Sequence, residues 1–179
     1  MNTQEEYIRY KVCIFGDGGV GKTSLTHRFL EGVFKETYQL TIGMDFYVKK
    51  LEIDKKKISL QIWDFAGEEK FRFLLPGAVS GAKGCIFMFD ITRYGTFKNL
   101  IDWLAIAKEI NEKENQNPSV ILVGSKLDLE GLRAISKDEA NKFAKDYKFQ
   151  EYVECSSKTG ENVNEIFNKI ASLMVKNNS

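Results

Sequence analysis

The chain has 179 residues, 43% of them hydrophobic and 28% charged, which fits one globular domain over 1–179 with a sizeable core. Lys and Arg number 26 against 25 Asp and Glu, and a net charge of +1 gives no electrostatic case for nucleic acid or bulk membrane binding. Cys13, Cys85 and Cys155 sit in or beside apolar runs, and there is no C-x-x-C and only one histidine, so they read as reduced core thiols rather than a disulfide or metal framework.

Taken in chain order, Ile8 to Phe15 reads as a strand with Val12, Cys13, Ile14 and Phe15 as its buried run, and Ser24 to Leu30 reads as a helix with Leu25, Phe29 and Leu30 on one face. Between them, Gly16-Asp17-Gly18-Gly19-Val20-Gly21-Lys22-Thr23 matches G-x-x-x-x-G-K-[ST], the phosphate-binding loop. Its glycines let amide N–H groups turn inward around an anion, and the helix start adds free amides and a positive dipole end. Lys22 opposes that dipole, a local conflict that a bound β/γ-phosphate removes. Thr23 offers a hydroxyl to Mg²⁺, a hard cation that prefers oxygen.

Met44 to Ile53 and Lys57 to Asp64 read as paired strands across a polar turn at Asp54-Lys55-Lys56; Ile58, Leu60 and Ile62 alternate with polar or amphipathic positions, and Lys49 and Lys50 suit an edge strand. Gly84 to Ile91 is a buried strand, and Phe97, Leu100, Ile101, Leu104 and Ala107 keep helical spacing up to Ile110. Ser119 to Val123 is the next buried strand. Ser136 and Glu139 form a capping box that opens a helix through Tyr147. Glu151 to Cys155 is a short strand, and Val163, Ile166, Phe167, Ile170 and Leu173 mark a closing amphipathic helix. This alternation predicts an α/β fold, a mostly parallel six-stranded sheet with helices on both faces. Such sheets bind ligands outside the carboxyl ends of their strands. That rule gathers Gly16–Thr23, Asp64–Gly67, Ser125–Asp128 and Ser156–Lys158 on one edge.

Each later motif has its own chemistry. Asp64-Phe65-Ala66-Gly67 has the D-x-x-G spacing, in which a carboxylate holds a Mg²⁺-bound water and a glycine offers its N–H to a terminal phosphate. Ser125-Lys126-Leu127-Asp128 resembles the N/T-K-x-D element of guanine binding. Asp128 can accept from guanine N1–H and the 2-amino group; adenine lacks both donors, and leaving the carboxylate unpaired costs about 1–3 kcal/mol or more. Cys155-Ser156-Ser157-Lys158 resembles the S-A-K element that contacts guanine O6 and brings a lysine near the base.

With these motifs spread over nearly its whole length, the chain resembles a small GTPase of the Ras superfamily, which implies the P-loop NTPase fold. Thr41-Ile42-Gly43-Met44-Asp45-Phe46 and Leu60-Gln61-Ile62-Trp63-Asp64 look most like the Rab branch. The resemblance implies GTP/GDP and Mg²⁺ as ligands. Gly18, Gly19, Val20, Gly21, Lys22, Thr23 and Ser24 would form the phosphate cradle, with Gly18 the small residue near the γ-phosphate. Phe34 would pack edge-on against guanine and Tyr38 would cover the phosphates. Thr41 would close over Mg²⁺ and the γ-phosphate, so that Thr23, Thr41 and Asp64 serve the metal. Ser125, Lys126, Asp128, Ser156, Ser157 and Lys158 would hold the base. Lys22, Thr41, Gly67 and Glu68 are the candidate catalytic set. Residues from Glu68 to roughly Val79 would be switch II, released with switch I on hydrolysis. Protein effectors and regulators are expected at the two switches of a monomer.

The departures from the family pattern are specific. Glu68 stands where the family usually has a water-orienting glutamine. An ionised carboxylate only accepts hydrogen bonds. Near a phosphate oxygen it is repelled by about 3 kcal/mol at ~5 Å and a dielectric of ~20. Slow intrinsic hydrolysis is expected, with a hydrolysis-deficient nucleotide-bound interaction module as the alternative. Ser125 replaces Asn or Thr, and its shorter side chain is expected to fall short of guanine N7 or of the phosphate loop, weakening nucleotide affinity or speeding exchange. Phe65 replaces a threonine and is expected to pack. Phe46 and Trp63 begin an aromatic effector surface, but the segment Pro76–Ala82 lacks the paired tyrosines common in Rabs. Asp17 is expected to face solvent, His27 to lie on the surface, and Trp103 to belong to the core. No run reaches the ~18 apolar residues of a membrane span. The start, Met1–Glu6, does not read as a signal peptide, and neither terminus carries a lipidation pattern in the sequence as given. A cytoplasmic location is expected, with peripheral membrane association if a lipidated tail has been removed.

Overall fold

A computed structural model describes residues 6–35 and 41–178. Six strands, β1 (Ile8–Phe15), β2 (Met44–Ile53), β3 (Lys56–Phe65), β4 (Gly84–Asp90), β5 (Ser119–Ser125) and β6 (Glu151–Glu154), form one sheet in the order β2-β3-β1-β4-β5-β6. Only the β2–β3 pair is antiparallel. The helices are α1 (Lys22–Glu31), α2 (Leu75–Val79), α3 (Tyr94–Lys98), α4 (Leu100–Lys113), α5 (Lys137–Asp146) and α6 (Val163–Asn177). Crossover connections between parallel strands put helices on both faces, as the alternation predicts.

The alternating side chains of the sheet feed two cores. On one face Val12, Ile14, Ile58, Leu60 and Ile62 meet α1 and α6, where Phe29 and Phe167 stack at 4.0 Å. On the other, Cys13, Phe15, Phe87 and Phe89 meet α2 to α5, and Trp103 is 1% exposed. Phe65 packs as expected, 5.4 Å from the Phe15 ring. The three cysteines are free and buried. Burial pushes the Cys13 and Cys155 thiols up to about 12, and Cys85 well above its ordinary value, so all three stay protonated packing groups.

Two local readings change. The hairpin turn is tighter than the three-residue stretch expected: β2 and β3 are joined by Asp54 and Lys55 alone, both at positive φ (50° and 64°), a two-residue turn that matches strand twist. The helix expected from Phe97 to Ile110 is divided at Asn99 into α3 and α4. Asn99 makes no side-chain cap on α4: its backbone is itself helical, with φ −71° and ψ −8°, and its amide Nδ2 donates to Asp17 at 2.7 Å. The stretch expected as switch II, to which the sequence reading assigns no local structure, is a 3-10 segment, Glu69–Leu74, followed by α2. The capping box opens α5 as read: Ser136 Oγ accepts from the Glu139 N–H at 3.1 Å.

Candidate nucleotide site

Parallel topology brings the ends of β1, β3, β4, β5 and β6 to one edge, and a cavity of about 440 Å³ opens there. Gly19, Val20, Gly21, Lys22, Thr23 and Ser24 of the loop and α1 line it, together with Ser125, Lys126, Asp128, Ser157 and Lys158 from the chain at and after β5 and β6; Phe34 and Thr41 form part of the wall. Lys35 and Leu129 also line it and were not anticipated. Gly18, Asp64, Gly67, Glu68 and Ser156 are outside the lining, and Tyr38 lies outside the described residues.

The phosphate end is an inward-turned loop. Gly16 has φ +144°, and a Cβ there would fall 2.2 Å from the Met88 carbonyl oxygen, so β4 and the loop touch only because that side chain is missing. Lys22 is 6% exposed, and its Nζ donates to the Gly16 and Asp17 carbonyls at 2.7 and 2.9 Å. Burial pushes its pKa down to about 8, against the pull of Asp64 and Asp17. A buried ammonium that satisfies itself on main-chain carbonyls has a charge to offer an entering anion. Gly67 approaches the same loop from β3. A Cβ at this position would fall 2.2 Å from both Asp17 C and Gly18 N, so any larger residue would push the loop away.

Beside Lys22, three oxygen-bearing side chains converge. Thr41 Oγ1 is 2.8 Å from Thr23 Oγ1, and Thr23 donates to Asp64 Oδ2. Asp64 is fully buried and its other oxygen, Oδ1, has no hydrogen-bond partner. Burial raises its pKa to about 6, opposed by the Thr23 hydrogen bond and by Lys22. A desolvated carboxylate with an unpartnered oxygen beside two hydroxyls is a hard donor set, and it fits Mg²⁺ better than a soft metal. The Ala66 N–H donates to the Gly43 carbonyl at 2.9 Å, which ties the chain after Asp64 to the chain after Thr41.

At the base end, Asp128 Oδ1 accepts from Ser156 Oγ at 2.6 Å, and Ser156 Oγ accepts from the Thr159 N–H at 3.1 Å. The serine thus aims the carboxylate without lining the cavity. Lys126 adopts φ +65° and its Nζ lies 2.7 Å from Asp90 Oδ2. Ser125 corrects an expectation. Its Oγ lies 2.6 Å from the Val20 carbonyl oxygen and 2.8 Å from that of Phe89, so the short hydroxyl does reach the phosphate loop. The close approach of β5 to the loop makes up for the missing atoms. Asp17 is corrected too. Instead of facing solvent, its carboxylate accepts from Trp103 Nε1 at 2.9 Å and Asn99 Nδ2 at 2.7 Å, because α4 and the residue before it present two donors to the outer side of the loop.

Glu68 pairs with Lys70 Nζ at 2.7 Å from the start of switch II. Phe46 and Trp63 meet edge-on at 5.2 Å with Phe46 half exposed, while Ala78 is buried. His27 bonds Glu31 and the Tyr47 hydroxyl at the α1–β2 contact, away from the cavity lining.

A model of the Ras family matches residues 11–176. The chain belongs to the Ras family. It is similar to Ras-related protein Rab-13 of Mesocricetus auratus, 40% identical over 162 residues covering 90% of this chain and 78% of the relative. It is equally similar to Ras-related protein SEC4 of Saccharomyces cerevisiae, 40% identical over 164 residues covering 92% of this chain and 74% of the relative. These likenesses place it in the Rab branch: a small GTP-binding switch that hydrolyses GTP. The alternative of a hydrolysis-deficient module is not favoured. Ras-family proteins in general bind guanine nucleotide with Mg²⁺ and engage effectors and regulators.

Proposed function

We propose that the cavity holds GTP or GDP lengthwise, polyphosphate against Gly18–Ser24 and guanine against Ser125–Asp128 and Ser156–Lys158. One observation carries this reading: a buried ammonium and an aimed carboxylate line one cavity. Lys22 exchanges its two carbonyl acceptors for β/γ-phosphate oxygens. Asp128 accepts from guanine N1–H and the 2-amino group, with Ser156 fixing its orientation, and Phe34 packs against the base. Thr23, Thr41 and Asp64 would hold Mg²⁺, which would supply positive charge against the polyphosphate. The Gly67 N–H donates to the γ-phosphate, and Glu68 faces the attacking water. Hydrolysis removes the ligand that orders Thr41 and Gly67, which releases both switches to regulators and effectors of Rab-like trafficking or signalling.

Denaturing the purified protein and identifying the released nucleotide tests this directly. GDP or GTP in near-equimolar amount is the expected result, with guanosine nucleotides competing for the site and ATP failing to do so. Protein supplied with Mg²⁺ that takes up neither GDP nor GTP would overturn the assignment.

A further inference from the structure

Arg93, between β4 and α3, belongs to none of the nucleotide motifs, yet it is held against the phosphate loop. Its Nε donates to Asp90 Oδ2 at 2.9 Å, and its Nη2 donates to the Gly18 carbonyl at 3.2 Å. Nη2 is also 3.5 Å from the point a Cβ on Gly19 would occupy. The planar fork of a guanidinium can engage a carboxylate and a carbonyl at once, which a lysine ammonium does less well.

Charge balance does not explain this placement. Asp90 is buried, and Lys126 Nζ already sits 2.7 Å from its Oδ2. Its Oδ1 accepts from the Thr92 N–H at 2.9 Å and the Thr92 hydroxyl at 2.7 Å. Of the two cations on Asp90, only Arg93 also bonds the phosphate loop. The loop's own acid, Asp17, keeps its charge but turns it outward onto Asn99 and Trp103. Arg93 is also felt inside the site: burial lowers the proton affinity of Lys22, Asp64 and Asp17 oppose that, and Arg93 adds to it.

We propose that Arg93 is a specificity residue of the nucleotide site, whose positive charge behind Gly18 and Gly19 favours the triphosphate over the diphosphate. The inference rests on the nucleotide reading above. The two nucleotides differ by about one unit of phosphate charge, carried on the terminal group that Gly18 faces in that reading. Arg93 remains half exposed, so solvent screens it. A unit charge pair at a separation on the order of 8 Å and a dielectric of ~40 corresponds to a roughly five-fold change in relative affinity.

The test compares full-length wild type with Arg93→Gln, Arg93→Met and Arg93→Lys. Equilibrium affinities for GDP and for a non-hydrolysable GTP analogue are measured at about 50 mM and about 0.5 M salt. The two neutral variants are expected to lower the triphosphate-to-diphosphate affinity ratio roughly five-fold at low salt and much less at high salt. Arg93→Lys is expected to keep the ratio within about two-fold. A ratio unchanged in the neutral variants, a loss that ignores salt, or a lysine variant as impaired as glutamine would overturn the proposal and leave Arg93 a hydrogen-bonding brace. Wild type that binds neither nucleotide would overturn both readings, whereas wild type that binds both, with an indifferent Arg93, overturns this one alone.

Discussion

At the scale of single residues, one hydroxyl carries an unexpected share of the site. Ser125 is 2% exposed and touches the Val20 carbonyl, so it joins the base-binding strand end to the phosphate loop. Ser125→Ala leaves a buried carbonyl without that donor, at about 1–3 kcal/mol. Nucleotide dissociation is expected to quicken roughly ten-fold, measured by release of a fluorescent guanine nucleotide. An unchanged rate would mean that the Val20 carbonyl needs no partner. Glu68 is the second decisive residue. Full repulsion from a γ-phosphate would correspond to about 3 kcal/mol, but its carboxylate is paired with Lys70 and partly exposed, which weakens the effect. Glu68→Gln is therefore expected to speed single-turnover GTP hydrolysis roughly ten-fold. A slower variant would show that the carboxylate acts as a general base.

Among the elements, β6 is secured by an ion-pair group that no motif announces. Arg133 Nη1 and Nη2 bond Glu154 Oε1 and Oε2 at 2.7 and 2.8 Å, and the Tyr152 hydroxyl donates to Oε1 at 2.5 Å. Burial alone would raise the Glu154 carboxyl, but hydrogen bonds from Arg133 and Tyr152, with Lys137 nearby, hold it below its ordinary 4.5. A depressed folded-state pKa gives stability that is present above pH 4.5 and is lost as pH falls through the folded value. Arg133→Met strands a buried carboxylate and is expected to cost about 3 kcal/mol at neutral pH. The gap to wild type should narrow below pH 4.5, where Glu154 protonates. Urea unfolding at neutral and acidic pH measures both effects, and a gap that does not depend on pH would contradict this account. The sequence predicted every strand and the capping box at Ser136, since period-two and period-3.6 patterns are local. The division at Asn99 was not legible, because the side chain there answers to a partner far along the chain. Asn99 is bound to Asp17, 82 residues away.

For the whole molecule, strand order alone gathers the motifs on one edge, which is why so much of the candidate site could be read before any contact was known. What could not be read lies behind the loop: Asp17 on Trp103, Ser125 on Val20 and Arg93 on Gly18 all join segments remote in sequence. The same edge carries stored cost in a desolvated Lys22 and an unpartnered Asp64 oxygen. A ligand that answers both should stabilise the fold by linkage. At one hundred times its dissociation constant, nucleotide with Mg²⁺ contributes about 2.7 kcal/mol, raising Tm by roughly 5–10 °C in a chain of this size. Chelating the metal should reverse much of that gain in a thermal melt, and no response to either ligand would argue against the site.

The Trp103 indole joins the phosphate loop to the segment expected as switch II. Its N–H donates to Asp17, and the Arg72 guanidinium lies 4.9 Å from its ring. A buried chromophore held between those two elements is expected to report any change in their packing. Ultraviolet emission is therefore expected to differ between the GDP form and the GTP-analogue form, and a Trp63→Phe background assigns the signal to Trp103.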